Sequence, residues 1–503
     1  MSVDQLPVTA TLVFPARLTP EALEQAAAPV AVTLDESARN AVVSCHDFLH
    51  LCLAEGREIY GATTGFGPLV TFAGQRQAAD QCENLLFHLE VGQGPDLPPA
   101  IARAALLARV WTLSQGRSGV SLAVVDALRA TLATSFAPAI PEFGSVGASG
   151  DLAPMAHAVR ALQGRGQAYL GNTRMAADEA LAGAGLVPLE LTGRDALALV
   201  NGTSVTSAAA GLALTALSRS LAAATALTAL MADVLGCRTD FVVPEIFEAL
   251  GHDDTAGQAA ILRAHLAGHT PGADRPLQEP YTLRCAPHLL GAAASSLRHA
   301  RQVVTDDLNG VSDNPLLFPE RDVIAHGGNF FGQQVAFAAD LMSITATQMA
   351  NLAERQLDLL MDPHRNGGLN PVLAELPGRD HGVQGVQLAA TSLVANMRRR
   401  ATPASMQSIP TNHHNQDVVP FGTQAALTAH EQSQTLRLLH GSLAVALVQA
   451  VRVGARRPTT TDGARLFDAL DPALSPDTPW ATRVRHAADI LDIATTPTVP
   501  PGR

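Results

Sequence analysis

Apolar residues recur at three- and four-residue spacing over helix-length windows: Ile101 to Leu113, Leu122 to Leu132, Thr206 to Val234, Leu289 to Asp307, Gly332 to Leu360, Gly382 to Arg400 and Gln424 to Val453. This spacing follows the 3.6-residue period of an α-helix, so each window predicts a helix with a buried face. Strand patterns are short and few, for example Val8 to Phe14 and Val30 to Leu34. The expected class is mainly α: a long-helix bundle core with a smaller mixed N-terminal portion. A division near residue 200 is expected between an N-terminal portion (residues 1–200) and a long-helix core (residues 201–503), although no linker composition marks it.

The longest apolar stretch, Val205 to Leu235, has the length of a membrane span but is rich in small residues and broken by Arg219. It reads as a buried helix. Alanine-rich helices approach one another closely, and a large bundle built from them can bury most of each helix surface within an oligomer. The segment from Pro458 to Arg503 is richer in Pro, Thr and Asp and is expected to wrap the outside of the bundle, its Pro497 to Arg503 end being mobile.

Charge narrows the partners. With 46 Asp and Glu against 34 Lys and Arg, the formal net charge is −12, which argues against nucleic acid or an anionic membrane and favours a small molecule. The 5 cysteines (Cys45, Cys52, Cys82, Cys237, Cys285) are odd in number and lack Cys-x-x-Cys spacing, so no disulfide framework or zinc site is indicated. Met1 to Pro15 has no basic region followed by an apolar core. A cytoplasmic protein is expected, in which the Asn201-Gly202-Thr203 sequon carries no glycan.

Candidate chemistry lies between the helices, on glycine-punctuated loops. In Gly144-Ser145-Val146-Gly147-Ala148-Ser149-Gly150-Asp151-Leu152, attack of the Gly150 amide nitrogen on the Ala148 carbonyl would close a five-membered ring. Loss of water would then leave a dehydrated Ser149 with an exocyclic methylene, an electrophile that attracts amines. Glycine at 147 and 150 supplies the backbone freedom that such a bend requires. Alone, the run reads as an ordinary surface turn, since Ala, Ser and Gly are all common. A phosphate cradle is disfavoured, because the spacing is Gly-x-x-Gly-x-x-Gly and no Lys-Ser/Thr accompanies it.

Further segments accompany it in order: Tyr60-Gly61-Ala62-Thr63-Thr64-Gly65-Phe66-Gly67, Asn201-Gly202-Thr203, Gln278-Glu279-Pro280-Tyr281-Thr282-Leu283-Arg284-Cys285, Ser312-Asp313-Asn314-Pro315-Leu316, His326-Gly327-Gly328-Asn329-Phe330 and Asn415-Gln416-Asp417. With these motifs the chain resembles the aromatic amino-acid ammonia-lyase and aminomutase family, from about residue 55 to 425. The resemblance implies a 4-methylidene-imidazole-5-one formed autocatalytically from Ala148, Ser149 and Gly150, with no metal and no nucleotide. It also implies a homotetramer whose active sites are built from loops of more than one subunit.

Eliminating ammonia from an α-amino acid requires a better leaving group, removal of a weakly acidic β-proton, and a fixed carboxylate. By resemblance Tyr60 removes the proton, and Tyr281 assists at the prosthetic group or the amine. The chain has only 3 tyrosines, and two of them stand in these motifs. A phenol has a pKa of about 10, which must be depressed by a cation or a helix N-terminus for it to act near neutrality; Arg284 is one candidate neighbour. Arg284 and Asn314 are assigned to the substrate carboxylate, Arg284 as a planar fork of donors. Asn201 and Gln278 are assigned to the ring and the reacting amine, and Phe330, Gly67 and Asn415 to the pocket.

Two positions bear on the substrate. His88-Leu89 is similar to the His-Leu pair of tyrosine ammonia-lyases, where an imidazole can meet a phenol hydroxyl. Gln416 stands where histidine lyases carry a glutamate, and a neutral amide suits a phenol ring better. The expected reaction is deamination of L-tyrosine to trans-p-coumarate; the alternatives are a tyrosine 2,3-aminomutase giving β-tyrosine, or a histidine or phenylalanine lyase. Phe331, His288, Pro420-Phe421 and His413-His414 depart from the usual tyrosine-lyase residues. The adjacent histidines are not expected to bind a metal without further ligands.

Overall fold

Every periodic window becomes a helix in the computed structural model, which describes residues 7–495 apart from 76 and 476. The observed spans are Pro99–Leu113, Leu122–Leu132, Ser204–Val234, Ala286–Asn309, Gln333–Met361, Gln384–Arg400 and Gly422–Arg452. Several begin before their apolar repeat because the first turn needs caps rather than burial. Pro99 suits a first turn, where its missing N–H has no intrahelical acceptor. Ser204–Val234 starts where the Asp151 carboxylate accepts the Val205 and Thr206 amides at 2.7 and 2.8 Å. The expected mobile end, Pro497 to Arg503, lies outside the described residues.

Strands are short. Ala10–Phe14 pairs in parallel with Val30–Leu34, in register from Ala10 opposite Val30 to Phe14 opposite Leu34. Phe136–Pro138, Gln167–Leu170 and Thr173–Ala176 form an antiparallel three-stranded sheet. Leu316–Phe318 and Val323–Ala325 form a hairpin. The mainly α class with a smaller mixed part is the class observed.

Two compact units differ from a single cut near residue 200. The first holds Met1–Leu212, Ala300–Asp340 and Pro403–Leu427; the second holds Ala213–His299, Leu341–Thr402 and Thr428–Arg503. The division falls inside long helices such as Ser204–Val234 and Gly422–Arg452, so continuous hydrogen-bonded segments carry the chain from one unit to the other. A composition shift along the sequence cannot report such a boundary.

Among the described residues, the first unit contains all the strand pairs and a core that includes Phe14 edge-on to Trp111 at 5.3 Å between centroids. The second is almost wholly helical. There the buried Asp233 carboxylate accepts the backbone amides of Thr459 and Thr460 and the Thr459 hydroxyl at 2.7–2.9 Å. His269 and Arg456 complete its shell, and the hydrogen bonds from His269, Thr459 and Thr460 hold its pKa well below the usual carboxylate range despite burial. Among the described residues, Ser204–Val234 is the one helix long and apolar enough to cross a membrane, and 83% of its most apolar window is buried in protein.

Candidate active site

The loop after Ile59 is anchored from below. Ile59 packs with Cys45, Phe48, Leu49, Cys52 and Leu317, all buried. Hydroxyls shape the turn above it: Thr63 accepts the Ile59 amide at 2.9 Å and Thr64 the Gly61 amide at 3.2 Å. Tyr60 then turns its phenol back onto its own loop, accepting the Gly67 amide at 2.9 Å, while its backbone N–H donates to His326 Nε2 at 3.2 Å. Burial pushes the Tyr60 pKa up, outweighing the Gly67 hydrogen bond and the charge of Arg194. The expected depression by Arg284 is therefore not found within the chain: Arg284 lies over the Tyr281 ring instead, 4.5 Å from its centroid.

A second loop carries Ala148, Ser149 and Gly150. Gly147 and Gly150 have φ of +74° and +69°, and isolated bridges link Gly147 and Ala148 to Gly150. Gly150 also lies against Gly202: a Cβ at 150 would stand 2.1 Å from the Gly202 carbonyl oxygen, so no other residue fits. The next residue, Asp151, is fully buried. It accepts the Thr206 and Thr423 hydroxyls at 2.8 and 2.7 Å in addition to its two helix amides, and burial pushes its carboxyl pKa up.

Asn201 is held from both sides. Its carbonyl accepts from the buried Arg109 guanidinium, whose own pKa burial lowers to about 10. Its Nδ2 donates to Asp313 Oδ1 at 3.1 Å and to the Asn314 carbonyl at 3.0 Å. Asp313 is in turn paired with Arg194 through two 2.9 Å contacts, both side chains fully buried. Asn201 Oδ1 is left buried without a partner, an orphaned acceptor whose desolvation a bound donor would offset. Asn314 Oδ1 accepts the Gly327 amide at 2.8 Å, which leaves its Nδ2 donors for a ligand.

These loops surround one cavity of about 620 Å³. Of the residues singled out in the sequence, Tyr60, Gly67, His88, Leu89, Ala148, Ser149, Asn201, Asn314, Phe330, Asn415 and Gln416 line it. Gly150 sits behind the wall against Gly202. Gln278, Tyr281 and Arg284 are not brought to this cavity. Gln278 and Arg284 line a separate pocket of the second unit with Arg238, Phe241, Leu277 and His288, and Tyr281 is 69% exposed.

In the cavity wall, His88 stacks on Phe66 with centroids 6.1 Å apart. Its Nδ1 contacts the Asn84 carbonyl at 3.2 Å. A carbonyl only accepts, so Nδ1 carries the proton in the neutral ring and Nε2 is an acceptor.

Comparison with known proteins gives the family. The profile of the family described as "Aromatic amino acid lyase" matches residues 18–471. A tyrosine ammonia-lyase of Cereibacter sphaeroides is 39% identical over 489 residues, covering 92% of this chain and 93% of that one. The chain belongs to the aromatic amino acid lyase family.

As a member it is a carbon–nitrogen lyase with relatives of several specificities. A histidine ammonia-lyase of Geobacillus kaustophilus is 37% identical over 403 residues, 79% of this chain and 80% of that one. The crystal structure of a tyrosine aminomutase from Streptomyces globisporus superposes with a TM-score of 0.90 at 31% identity, covering 97% of each chain. Several residues that organise the cavity and its loops were not singled out for roles in the sequence. Ser145, Asp151 and Asp313 stood inside quoted motifs, and that adjacency was their only signal. Arg109, Arg194, Thr411, Asn412 and Thr423 gave none, since position in the sequence does not reveal which groups they meet. Among the described residues, no group of three or more His, Cys, Asp or Glu side chains could hold a metal ion.

Proposed function

We propose that the chain deaminates L-tyrosine to trans-p-coumarate and ammonia in the cytoplasm, as a homotetramer with shared active sites and a methylidene-imidazolone made from Ala148, Ser149 and Gly150. The observation that carries this reading is the convergence of Tyr60, Ser149, Asn201 and His88 on one cavity. The loop suits the ring: the chain doubles back between Gly147 and Gly150, only a residue without a β-carbon fits at 150, and Asn201 offers an unpartnered oxygen nearby. Asn201, Gly202 and Gln416 would hold the group, which supplies an electrophilic carbon that makes the amine a better leaving group.

The remaining roles fall to the chain's own side chains. Tyr60 takes the β-proton at its phenolic oxygen, which the Gly67 amide already supports by a hydrogen bond. Because burial raises its pKa, the phenolate needs a cation brought in from outside the loop. A substrate ammonium and the Arg284 loop of a neighbouring subunit are the available sources. That neighbour would also bring Tyr281 and Gln278, neither of which lines this chain's own cavity. Asn314 donates to the substrate carboxylate, and Phe330 and Leu89 exclude water from the ring. His88 Nε2 accepts from the phenol hydroxyl, favouring tyrosine over phenylalanine. The cysteines are all free thiols, in keeping with a reducing compartment.

The test is incubation of purified protein with L-tyrosine, L-phenylalanine and L-histidine separately, following acrylate absorbance and resolving β-amino acids by chromatography. p-Coumarate from tyrosine is the expected product. β-Tyrosine would make the chain an aminomutase, and turnover of histidine or phenylalanine alone would overturn the substrate assignment.

A further inference from the structure

Ser149 has one side-chain hydrogen-bond partner among the described residues: Gln416 Nε2 donates to its hydroxyl at 3.2 Å. That hydroxyl is the one the loop must discard if it matures as proposed above. We infer that Gln416 is a positioning residue for the dehydration of Ser149, acting on the unprocessed chain before any substrate arrives. The inference rests on the proposed electrophile and adds a residue that helps make it.

The atoms balance without an oxidant. Gly150 N bonds to the Ala148 carbonyl carbon, and the Ala148 oxygen leaves as water with one proton from each of the Gly150 and Ser149 amides. The second water takes the Ser149 Cβ–Oγ oxygen, its hydroxyl proton and the Cα proton, and the Cα–H electron pair becomes the new double bond. Negative charge builds on Oγ as the Cβ–Oγ bond breaks, and a fixed N–H donor stabilises such charge when it is in place beforehand.

Gln416 is fixed in that way. The Thr411 hydroxyl and Asn412 Nδ2 both donate to its Oε1, at 2.7 and 2.6 Å, which turns the amide nitrogen toward Ser149. The scaffold beneath is local. Thr411 and Gln416 exchange backbone hydrogen bonds at 3.0 and 3.4 Å, and the turn between them places Asn412, His413 and His414 at φ of +51°, +52° and +61°. Asparagine and histidine are among the residues that tolerate this left-handed region best, which gives His413-His414 a backbone reason to be there. A few residues later the chain grips the reactive loop again. Phe421 N–H donates to the Val146 carbonyl at 3.1 Å, and the Thr423 and Ser145 hydroxyls meet at 2.6 Å.

The experiment measures maturation directly. Full-length wild type, Thr411→Val, Thr411→Ser and Gln416→Met are produced in a short pulse of synthesis, and intact mass counts chains that have lost no, one or two waters over time. Melting temperature checks that each variant is folded. Thr411→Val and Gln416→Met are expected to lose the second water about tenfold more slowly than wild type, because an oriented donor is loosened or removed, and Thr411→Ser is expected to restore the rate. If both folded variants lose two waters at the wild-type rate, the inference is overturned while the electrophile stands. If wild type never loses two waters, the underlying reading fails as well.

Discussion

The loop around Ser149 and the segment around Arg284 are built on opposite terms. Around Ser149 the chain is enclosed by itself: Gly150 abuts Gly202, Asp151 is fully buried, and Val146, Ser145 and Ser149 are each held by residues between 416 and 424. Around Arg284 the exposure is mixed: Leu283 and Glu279 are buried and Arg284 is half-buried, while Tyr281 is 69% and Leu277 78% exposed. A turn that reacts with itself, as proposed for Ala148 to Gly150, needs its backbone over-determined by contacts within one folding unit. Groups that only recognise a ligand can be presented on a surface for another surface to complete.

The largest expected effect tests that contrast. Ser149→Ala and Arg284→Ala should each lower kcat/KM by at least about 10³-fold, since one would remove the proposed electrophile and the other the proposed carboxylate clamp. Co-expressing the two variants should restore part of the activity, because hybrid oligomers would contain sites with an intact Ser149 from one chain and an intact Arg284 from another. No recovery in a mixed oligomer would break the comparison by showing that both segments work only within one chain.

A smaller effect concerns the wall of the cavity. His88→Phe removes the acceptor facing a phenol hydroxyl and should move the tyrosine-to-phenylalanine ratio of kcat/KM by about 10²-fold toward phenylalanine. An unchanged ratio would assign His88 to packing against Phe66 alone.

The smallest effect lies outside both segments and should leave chemistry untouched. His440 is fully buried, neither ring nitrogen has a partner, and burial lowers its pKa to about 4. Between the unfolded pKa of about 6.5 and that value, the unfolded chain takes up a proton and the folded chain does not. Its neutral form is therefore no burden above about pH 6.5, and stability falls as pH drops toward 4, by up to about 3 kcal/mol. His440→Leu should flatten this acid-side loss, read as the difference in melting temperature between pH 7 and pH 4.5. An identical loss in both proteins would place the acid sensitivity elsewhere.

Much of the fold was legible because helix periodicity is written into neighbouring residues. Leu122 to Leu132 is matched to the residue, and the ends of Ser204–Val234 and Gly422–Arg452 shift by only two positions or fewer. The motif loops were also legible, since glycine and tyrosine at those spacings stand out in an alanine-rich chain with few aromatics. The supports were not. Arg109 reaches Asn201 and Ser312 across 92 and 203 residues, and Gln416 reaches Ser149 across 267. Nothing near Arg109 in the sequence separates it from a surface arginine.

By itself the sequence determined the helices, the glycine-bearing loops and the family, because each is set by residue types at short, ordered spacings. The tertiary structure decided which of those loops share a cavity, that Tyr60 is raised rather than depressed in pKa, and that Arg284 attends Tyr281 instead. It also decided that the compact units cut across the long helices. Burial and long-range hydrogen bonds set all of these, and both come into being only when distant segments pack.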